Sequence, residues 1–312
     1  METLINGLHH VTTLAGDTQR NVDYYTDILG LRLIKKTVNF DAPDVYHLYY
    51  GDETGTPGSI LTFFPYGNLP RGRKGVGQLT YTAFSVPVGS LSFWLDRLHE
   101  RAIPYAGPYK RFDETYIRFE DFDGMGIELV FTDNDPRPGW SNGRIPAQFA
   151  IRGFHTVTLN ELNPDRTIRL LTETMQHILV GEELGRFRFQ AGAGGSGHFV
   201  DVVHAPNDVR ALQGAGSVHH VAFSTDTDAT QLIIQHQLAE LGYAVTPVQD
   251  RNYFNSIYFR EPGGILFEIA TNPPGFTVDE SVAQLGTALK LPPQYESRRA
   301  KIEAELPAVV VN

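Results

Sequence analysis

The pattern of hydrophobic and polar positions along this chain repeats four times. Each round begins with a short β-rich stretch, and these stretches start roughly 65 to 75 residues apart: Gly7–Leu14, Gln78–Val86, Gly153–Asn160 and Ser217–Ser224. After each stretch, apolar residues recur at intervals of three and four, which is typical of an amphipathic helix. These patterns predict four helices, at Thr18–Leu29, Ser90–Arg101, Asp165–Ile178 and Asp228–Leu241.

Three further strands, separated by turn signals, follow each helix. In the first round they are predicted at Leu31–Phe40, Val45–Tyr50 and Ile60–Phe64, and in the last round at Tyr243–Val248, Ser256–Arg260 and Ile265–Ala270. The repeating unit is therefore βαβββ, and a unit of this length that recurs four times indicates a repeated architecture. We predict an α+β fold of four βαβββ modules arranged as two paired-module domains.

The segment between the second and third modules is rich in proline, glycine and polar residues, which is typical of a linker. The sequence thus predicts an N-terminal domain at 1–135 with modules 1 and 2, and a linker at 136–149. A C-terminal domain at 150–275 would hold modules 3 and 4, and a tail would follow at 276–312. Within the tail, a helix is predicted around Asp279–Lys290, packed over a module or an oligomer interface.

Composition narrows the functional classes. The formal net charge of -10 argues against nucleic acid or an anionic membrane as a main partner. The chain has no cysteine, which excludes disulfides, thiolate nucleophiles and cysteine-ligated metal sites. No apolar run approaches the roughly 20 residues that span a bilayer, and the N-terminus lacks the features of a signal peptide. We therefore expect a cytoplasmic protein, with a homo-oligomer left open.

Two histidine doublets, His9-His10 and His219-His220, open the first strands of the first and last modules. A glutamate, Glu268, lies inside a predicted strand of the last module. Because side chains alternate along a strand, His220 and Glu268 both fall on the small, polar face that should line the concave side of the sheet. Module equivalence selects His10 from the first doublet.

Two imidazoles and one carboxylate are the ligand set of metal sites that keep open positions for substrate and dioxygen. A single strand histidine is more often a hydrogen-bonded structural residue. A buried carboxylate in mid-strand is unusual, because it is costly without a partner. The sequence therefore predicts a metal site formed by His10, His220 and Glu268, which would bring the ends of the chain together.

The repeat also marks equivalent positions in the other modules. In the middle modules these positions hold four polar residues: Tyr81, Glu128, His155 and Asp201. We expect them to form either a second metal site or a polar cluster, left from duplication, whose members satisfy one another's hydrogen bonds. In the first module, the position that matches Glu268 falls at Phe63-Phe64. That module is therefore expected to offer a histidine but no carboxylate.

The module pattern is similar to that of the vicinal oxygen chelate superfamily, which includes glyoxalases, fosfomycin-resistance proteins and extradiol dioxygenases. More narrowly, the chain resembles the ring-cleaving dioxygenases that act on hydroquinones. The resemblance covers nearly the whole chain, and its motifs are Leu8-His9-His10-Val11-Thr12, Tyr46-His47-Leu48-Tyr49-Tyr50, Gly55-Thr56-Pro57-Gly58, Gly153-Phe154-His155, His219-His220-Val221-Ala222-Phe223, Pro262-Gly263-Gly264-Ile265-Leu266-Phe267-Glu268, Pro273-Pro274-Gly275-Phe276 and Leu291-Pro292-Pro293-Gln294-Tyr295.

By position, this resemblance implies that His10, His220 and Glu268 bind iron. It also implies that five neighbours complete the active site: His9, Thr12, His219, Arg251 and Tyr258. For His9 and His219 the two arguments differ, because strict alternation directs them away from the site whereas the resemblance places them at the edge of the pocket.

The functional hypothesis is an Fe(II)-dependent dioxygenase that inserts O2 into a hydroquinone-type ring, with a small aromatic substrate and O2 as its partners. Tyr258 would donate a hydrogen bond or a proton, and Arg251 or a neighbouring histidine would stabilise developing negative charge. Three alternatives stay open: a glyoxalase-like lyase or isomerase with Mn(II), Ni(II) or Zn(II), a catechol-cleaving extradiol enzyme, and a metal-free binding protein that confers resistance.

Overall fold

The structure, a computed structural model, describes residues 3–141 and 144–311. Two residues of the predicted linker, 142 and 143, and the ends of the predicted first domain and tail lie outside the described residues. Eight strands form in modules 1 and 2: β1 (Gly7–Ala15), β2 (Arg32–Val38), β3 (Tyr46–Gly51), β4 (Ile60–Pro65), β5 (Gln78–Val86), β6 (Tyr105–Arg111), β7 (Glu114–Glu120) and β8 (Gly126–Phe131). Eight more form in modules 3 and 4: β9 (Gly153–Glu161), β10 (Ile178–Glu183), β11 (Arg186–Gln190), β12 (Phe199–His204), β13 (Val218–Thr225), β14 (Gln249–Asp250), β15 (Asn255–Arg260) and β16 (Leu266–Thr271).

One helix follows the first strand of each module. These are α1 (Thr18–Asp23), α2 (Leu91–Glu100), α3 (Asp165–Arg169) and α4 (Asp228–Glu240), and a fifth, α5 (Arg299–Glu305), lies in the tail. Helices α1 and α3 continue into π-helical turns, Tyr24–Ile28 and Leu170–Thr174. Short 3-10 turns occur at Val88–Ser90, Phe276–Val278, Val282–Gln284 and Pro293–Arg298. Thus the predicted βαβββ order is confirmed in all four modules.

The strands form two eight-stranded sheets. The first has the order β14-β15-β16-β13-β1-β4-β3-β2, and the second has the order β10-β11-β12-β9-β5-β8-β7-β6. In each sheet two modules meet through their first strands, which run antiparallel: β1 with β13, and β5 with β9. The predicted fold of paired βαβββ modules is confirmed.

Helices cover the outer face of each sheet. Their inward residues, such as Trp94 and Leu98 of α2 and Ile234 and Leu238 of α4, are fully buried. All nine residues of β1 are buried as well, because one face packs on helices and the other lines the interior of the curved sheet. The concave face is therefore the place where polar side chains can be both buried and close together.

The sheets combine the modules differently from their order along the chain. Modules 1 and 4 share the first sheet, and modules 2 and 3 share the second. A metal site built from the first and last modules agrees with this arrangement, because β1 and β13 are neighbours. The predicted boundaries at 1–135 and 150–275 divide the chain between consecutive modules and so do not coincide with the division between sheets. As boundaries along the chain they stay a prediction.

The predicted strand Tyr243–Val248 was wrong. This segment is irregular, and strand structure begins only at Gln249. Pro247 lacks the N–H that a strand needs. Thr246 makes the main contact with β15 through its backbone N–H to Tyr258 O (3.0 Å) and its hydroxyl, which accepts from Tyr258 N (3.0 Å). The sheet therefore ends in a two-residue strand that leaves room for a cavity.

The predicted helix Asp279–Lys290 was also wrong. The segment contains one 3-10 turn and then runs beside β2, where Lys290 N donates to Lys36 O (2.9 Å). Gly286 has φ +76 and lies so close to the sheet that a Cβ there would be 2.1 Å from Leu33 O. A left-handed glycine against a strand is incompatible with a continuous helix. The tail does pack on a module, namely module 1.

In the described part of the chain, no helix combines the length and the apolar character needed to cross a membrane.

Two buried carboxylates meet between β9 and the turn that follows β15. Glu261 accepts hydrogen bonds from Gly263 N (2.8 Å), Ile265 N (2.7 Å) and the Thr167 hydroxyl (2.6 Å). Glu161 Oε1 is buried and has no hydrogen-bond partner among the described residues. Burial, and then the charge of Glu261, raise the pKa of Glu161 to about 8. Glu261 therefore carries the charge and Glu161 holds the proton.

This pair predicts a pH dependence of stability. The folded-state pKa of Glu161 exceeds its ordinary value, so the free energy of unfolding should fall as pH rises from about 4.5 to about 8, at most by roughly 1.4 kcal/mol per pH unit. Glu161→Gln removes this titration, so the variant should gain stability relative to the parent over that interval. Urea unfolding at pH 5, 6.5 and 8 measures the difference, and the exposed Glu240→Gln is the control. An equal difference at all three pH values would contradict the prediction.

Candidate metal centre

Three buried side chains converge on the concave face of the first sheet. His10 Nε2 lies 3.2 Å from His220 Nε2 and 3.2 Å from Glu268 Oε2, and His220 Nε2 lies 3.0 Å from the same oxygen. Metal bonds of about 2.1 Å at about 90° would place neighbouring donor atoms about 3 Å apart. The triangle therefore has the size of one face of an octahedral site. Within residues 3–141 and 144–311, it is the one group of three or more such side chains near enough to hold an ion.

Strand register places each of these side chains. In the antiparallel pair β1–β13, His10 is opposite Ala222, and Thr12 is opposite His220. In the parallel pair β13–β16, Ala222 is aligned with Glu268. The three side chains thus come from three consecutive strands at the centre of the sheet, where the backbone is held most firmly.

The first histidine of each doublet lies at an irregularity of the β1–β13 pair. The register shifts between Leu8 and His10 and between Thr12 and Thr13, so His9 and His219 are the extra residues of two β-bulges. A bulge inserts one residue without a partner and breaks the alternation of side chains. This explains why both members of a doublet lie near the site, which strict alternation excludes.

The bulged histidines contact the converging ones through their rings. His9 Nδ1 is 2.9 Å from His10 Nδ1, and His219 Nδ1 is 2.8 Å from His220 Nδ1. Burial lowers the pKa of His9 overall, and its hydrogen bond to the backbone of Thr271 opposes this in part, as donation to a carbonyl does. A neutral ring that donates with one nitrogen accepts with the other, so His10 Nδ1 is the donor. This tautomer of His10 would leave the Nε2 lone pair available to an ion in the triangle.

Electrostatics keep the triad in the form that binds a cation. Burial alone would raise the pKa of Glu268, but its interactions with His10 and then His220 outweigh burial and hold the pKa well below the ordinary range. Burial, and then the charges of their doublet partners, lower the pKa values of His9 and His219 to about 3. Glu268 is ionised and the supporting imidazoles are neutral.

Glu268 is held from the side opposite the histidines. Its Oε1 accepts a short hydrogen bond from the buried Ser256 hydroxyl, whereas Oε2 makes no hydrogen bond of regular geometry among the described residues. A buried carboxylate oxygen that lies 3.0 to 3.2 Å from two imidazole nitrogens is satisfied either by a proton on one of those nitrogens or by a cation among the three atoms. The donor set therefore fits a divalent metal ion.

Tyr258 lies directly opposite Glu268 in the β15–β16 pair. Arg251 Nε donates to the Tyr258 oxygen at 3.3 Å, and its NH2 group donates to Gln249 Oε1 at 2.5 Å. Burial, and then the charge of Glu268, raise the pKa of Tyr258. The tyrosine is therefore protonated, and its oxygen accepts the hydrogen bond from Arg251.

A cavity of about 460 Å³ opens beside the triad. Its buried part contains His10, His220 and Phe254, and the partly exposed Tyr258, Arg251 and His219 also line it. Exposed Asp41 and Tyr66 lie at its mouth. The volume suits one substituted aromatic ring and a few waters, because ligand cavities start at about 300 Å³. The fully buried Thr12 and the bulged His9 stand behind this wall.

Sequence reasoning missed several residues of the cavity. His47 and Tyr49 of β3 line it, as does Phe254. The prediction that Phe63-Phe64 is the module 1 equivalent of Glu268 was wrong by one residue. The register aligns Thr12 with Thr62, so Thr62 holds the equivalent position. Alternation along Val45–Tyr50 is the signal that could have placed His47 and Tyr49 on one face.

The equivalent positions of modules 2 and 3 form a polar cluster filled by arginines. Arg188 makes a bidentate pair with Asp201 (2.7 and 3.0 Å), and Arg111 pairs with Glu128 at 2.7 Å. The bulge in β9 falls on His155, so Thr156 holds the position of His10, and His155 Nε2 pairs with Glu114 at 2.8 Å. Guanidinium groups thus take the place of an ion, whereas Tyr81 lies half-buried at the side. The interpretation as a satisfied cluster fits these contacts.

Comparisons with known proteins place the chain in a family. Residues 7–129 and 153–269 match the model of the glyoxalase/bleomycin resistance protein/dioxygenase superfamily. The chain is 46% identical over 300 residues to MhqO of Bacillus subtilis, which is named provisionally as a ring-cleaving dioxygenase, with 96% of this chain and 95% of that protein covered. It is 37% identical over 301 residues to the chlorohydroquinone/hydroquinone 1,2-dioxygenase of Sphingobium indicum, with 94% and 93% covered.

Solved structures agree. A crystal structure of a Bacillus subtilis protein, described provisionally as a dioxygenase, matches with a TM-score of 0.95 at 44% identity and covers 100% of this chain and 99% of that one. Glyoxalase I from Zea mays shares the fold, with a TM-score of 0.65 at 14% identity over 85% of this chain and 92% of that one. The chain belongs to the glyoxalase/bleomycin resistance protein/dioxygenase superfamily.

Proposed function

We propose that this protein is a ring-cleaving dioxygenase that uses Fe(II), held by His10, His220 and Glu268, to insert O2 into a hydroquinone-type ring. The observation that carries the proposal is the triangle of two imidazole nitrogens and one carboxylate oxygen, 3.0 to 3.2 Å on each side, in the wall of a ring-sized cavity. The names of the relatives, one of them a hydroquinone dioxygenase, support the reaction class.

Three protein donors on one face leave the opposite positions to substrate and O2, which is how two-histidine, one-carboxylate iron sites operate. Iron(II) in this site would supply the redox chemistry by which O2 reacts with an electron-rich ring. Similar sets of donor atoms also bind Mn(II), Ni(II) and Zn(II). The identity of the metal therefore has to be established by comparing the activity of the protein loaded with different ions. A cytoplasmic location stays a prediction from the sequence, and the oligomeric state stays open.

The other residues around the cavity have separate proposed roles in binding the substrate and in catalysis. Tyr258 accepts from Arg251, and its own hydroxyl is proposed to donate to an oxygen atom bound in the cavity. The Arg251 guanidinium stabilises the negative charge of an ionised ring hydroxyl. The Phe254 ring, 5.1 Å from the His10 ring between centroids, offers an aromatic surface to the substrate. His9 and His219 fix the orientation of the two proposed ligand rings through their Nδ1 contacts.

O2 uptake by anaerobically iron-loaded protein tests the function, with hydroquinone, methylhydroquinone, chlorohydroquinone and catechol offered in parallel. We expect uptake with the hydroquinones above that with catechol, and much weaker activity after loading with Zn(II). A preference for catechol would overturn the substrate class. No uptake, with glutathione-dependent turnover of methylglyoxal, would replace the proposal by a lyase. Aromatic binding without any metal would replace it by a binding protein.

Tyr258→Phe should lower kcat for the hydroquinone by about 100-fold, because a general acid contributes at least that much. KM should change little, since the ring surface and Arg251 are retained. Steady-state kinetics on iron-loaded protein measure both constants, with metal content determined in parallel. Tyr243→Phe, outside the cavity, is the matched control. An unchanged kcat would contradict the role of the hydroxyl.

A further inference from the structure

A second cavity, of about 220 Å³, meets the cavity at the proposed metal centre. The Phe254 side chain lines both of them. The centre of its ring lies 5.0 Å from that of His9, which lines the second cavity, and 5.1 Å from that of His10, which lines the first. One aromatic side chain and one histidine doublet therefore stand between the second cavity and the triad.

The second cavity has a polar mouth and a buried inner end. Exposed Thr56 and Thr277 lie at its mouth, between the turn that follows β3 and the start of the tail. This mouth is separate from that of the first cavity, where Asp41 and Tyr66 are exposed. Besides His9 and Phe254, four buried residues line the inner end: Gly55, Ile60, Tyr253 and Phe276.

The polar atoms near this inner end already have partners. His9 Nδ1 lies 2.9 Å from His10 Nδ1, and the His9 ring also makes a hydrogen bond to the backbone of Thr271. The Tyr253 hydroxyl donates to Asp279 Oδ2 at 3.1 Å. The inner end therefore presents carbon surface to a ligand, and apolar cavities of this kind bind small apolar molecules such as xenon.

We propose that the second cavity binds dioxygen and delivers it past the Phe254 ring to the proposed metal centre; the proposal rests on the proposed function. O2 is uncharged, accepts hydrogen bonds poorly and is small enough for a cavity of about 220 Å³. A hydroquinone has two hydroxyls, and this inner end cannot replace their hydrogen bonds to water. The two substrates therefore use two different entrances.

A separate entrance for O2 becomes important once an aromatic ring is bound. The first cavity, of about 460 Å³, suits one ring, and a ring held there would lie between its mouth and the triad. O2 in the second cavity is instead beside the doublet, and a movement of the Phe254 side chain admits it. The Phe254 backbone stays in place, because its carbonyl accepts from Arg251 N at 3.0 Å.

Xenon tests the binding site without catalysis, because it is also small and apolar. In crystals of zinc-loaded protein under xenon pressure, a xenon atom should lie among Ile60, Tyr253 and Phe276. It should be missing from Ile60→Trp, whose indole fills the inner end, and present in the matched control Ile60→Val. A second cavity of the parent that holds no xenon would overturn the proposal.

The route is tested on iron-loaded protein with a hydroquinone at varied O2 concentration. In Ile60→Trp, kcat/KM for O2 should fall at least about 10-fold, because association slows when it requires a conformational change. In Ile60→Val it should stay near that of the parent, and both variants should keep the parent's iron content and KM for the hydroquinone. Thr277→Trp obstructs the exposed mouth and should cause the same loss, which keeps the test valid if Ile60→Trp does not fold.

The outcomes separate the route from the proposed function. A tryptophan variant that excludes xenon but keeps the parent's kcat/KM for O2 would overturn the route and leave the proposed function intact. A parent that binds xenon but takes up no O2 with any aromatic would overturn the proposed function, and the role of the cavity in delivering O2 with it.

Discussion

His10→Ala should abolish iron binding, and this is the largest effect expected from a single substitution in the molecule. The change removes one of three donors and leaves a gap in the triangle, so the remaining imidazole and carboxylate cannot define a face of the coordination sphere. Loss of residues that only support ligands already costs 10- to 100-fold in affinity, so loss of a ligand should exceed this. Metal analysis after anaerobic reconstitution and desalting should fall from about one iron per chain to near zero.

His155→Ala is the matched control for this prediction. His155 is also a buried strand histidine that contacts a carboxylate, Glu114, but it belongs to the second sheet. Its removal should leave the iron content near that of the parent and O2 uptake largely intact. Iron lost from this variant and retained by His10→Ala would make His155 the ligand in place of His10, as expected for a catechol-cleaving enzyme with its ligands in the last two modules.

The βαβββ repeat and the polar face of the last module followed from local patterns. Side chains alternate along β13 and β16 without interruption between His220 and Thr225 or between Phe267 and Thr271, so phasing from the sequence alone put His220 and Glu268 on one face. The equivalence of the two doublets then added His10. These inferences hold because they depend on neighbours within one strand or on the repeat itself.

The residues that escaped prediction depend on pairing between distant strands. A bulge arises where β1 meets β13, so the sequence of β1 does not reveal that His9 is the extra residue. The same effect shifts the equivalent of His10 in module 3 from His155 to Thr156. The arginines that fill the second cluster come from β6 and β11, and only the tertiary structure shows that they meet Glu128 and Asp201.

The tail illustrates a different limit. The sequence at Asp279–Lys290 has a helical pattern, but the conformation of this segment depends on an ion pair with a residue far away in the sequence. Local sequence patterns do not reveal such a contact. Lys35 of β2 is fully buried, and its Nζ contacts Asp279 Oδ1 at 2.6 Å and Glu280 Oε2 more closely still. The ammonium also lies 5.1 Å from the centre of the Tyr253 ring. These contacts hold the tail in an extended path.

The same contacts anchor the tail beside the proposed metal centre. Phe276 and Leu285 of the tail pack with Tyr49, Phe254 and Ala222, on the face that carries the cavity. Loss of the anchor should therefore loosen both the tail and part of the cavity wall. Because Glu280 is nearly inaccessible to water and Lys35 is its one ion-pair partner among the described residues, removal of Lys35 leaves a buried charge that only the backbone N–H of Ala288 contacts.

Lys35→Met should lower the free energy of unfolding by about 3 to 5 kcal/mol, the usual cost of leaving a buried charge without its partner. The variant Lys35→Met/Asp279→Asn/Glu280→Gln should recover most of this loss, because it removes the charges together. Urea unfolding followed by circular dichroism measures both, with the half-buried neighbour Lys36→Met as the control. If Lys35→Met were as stable as Lys36→Met, the carboxylates of the tail would have to be satisfied by water, and the tail would be held to the sheet by its apolar residues alone.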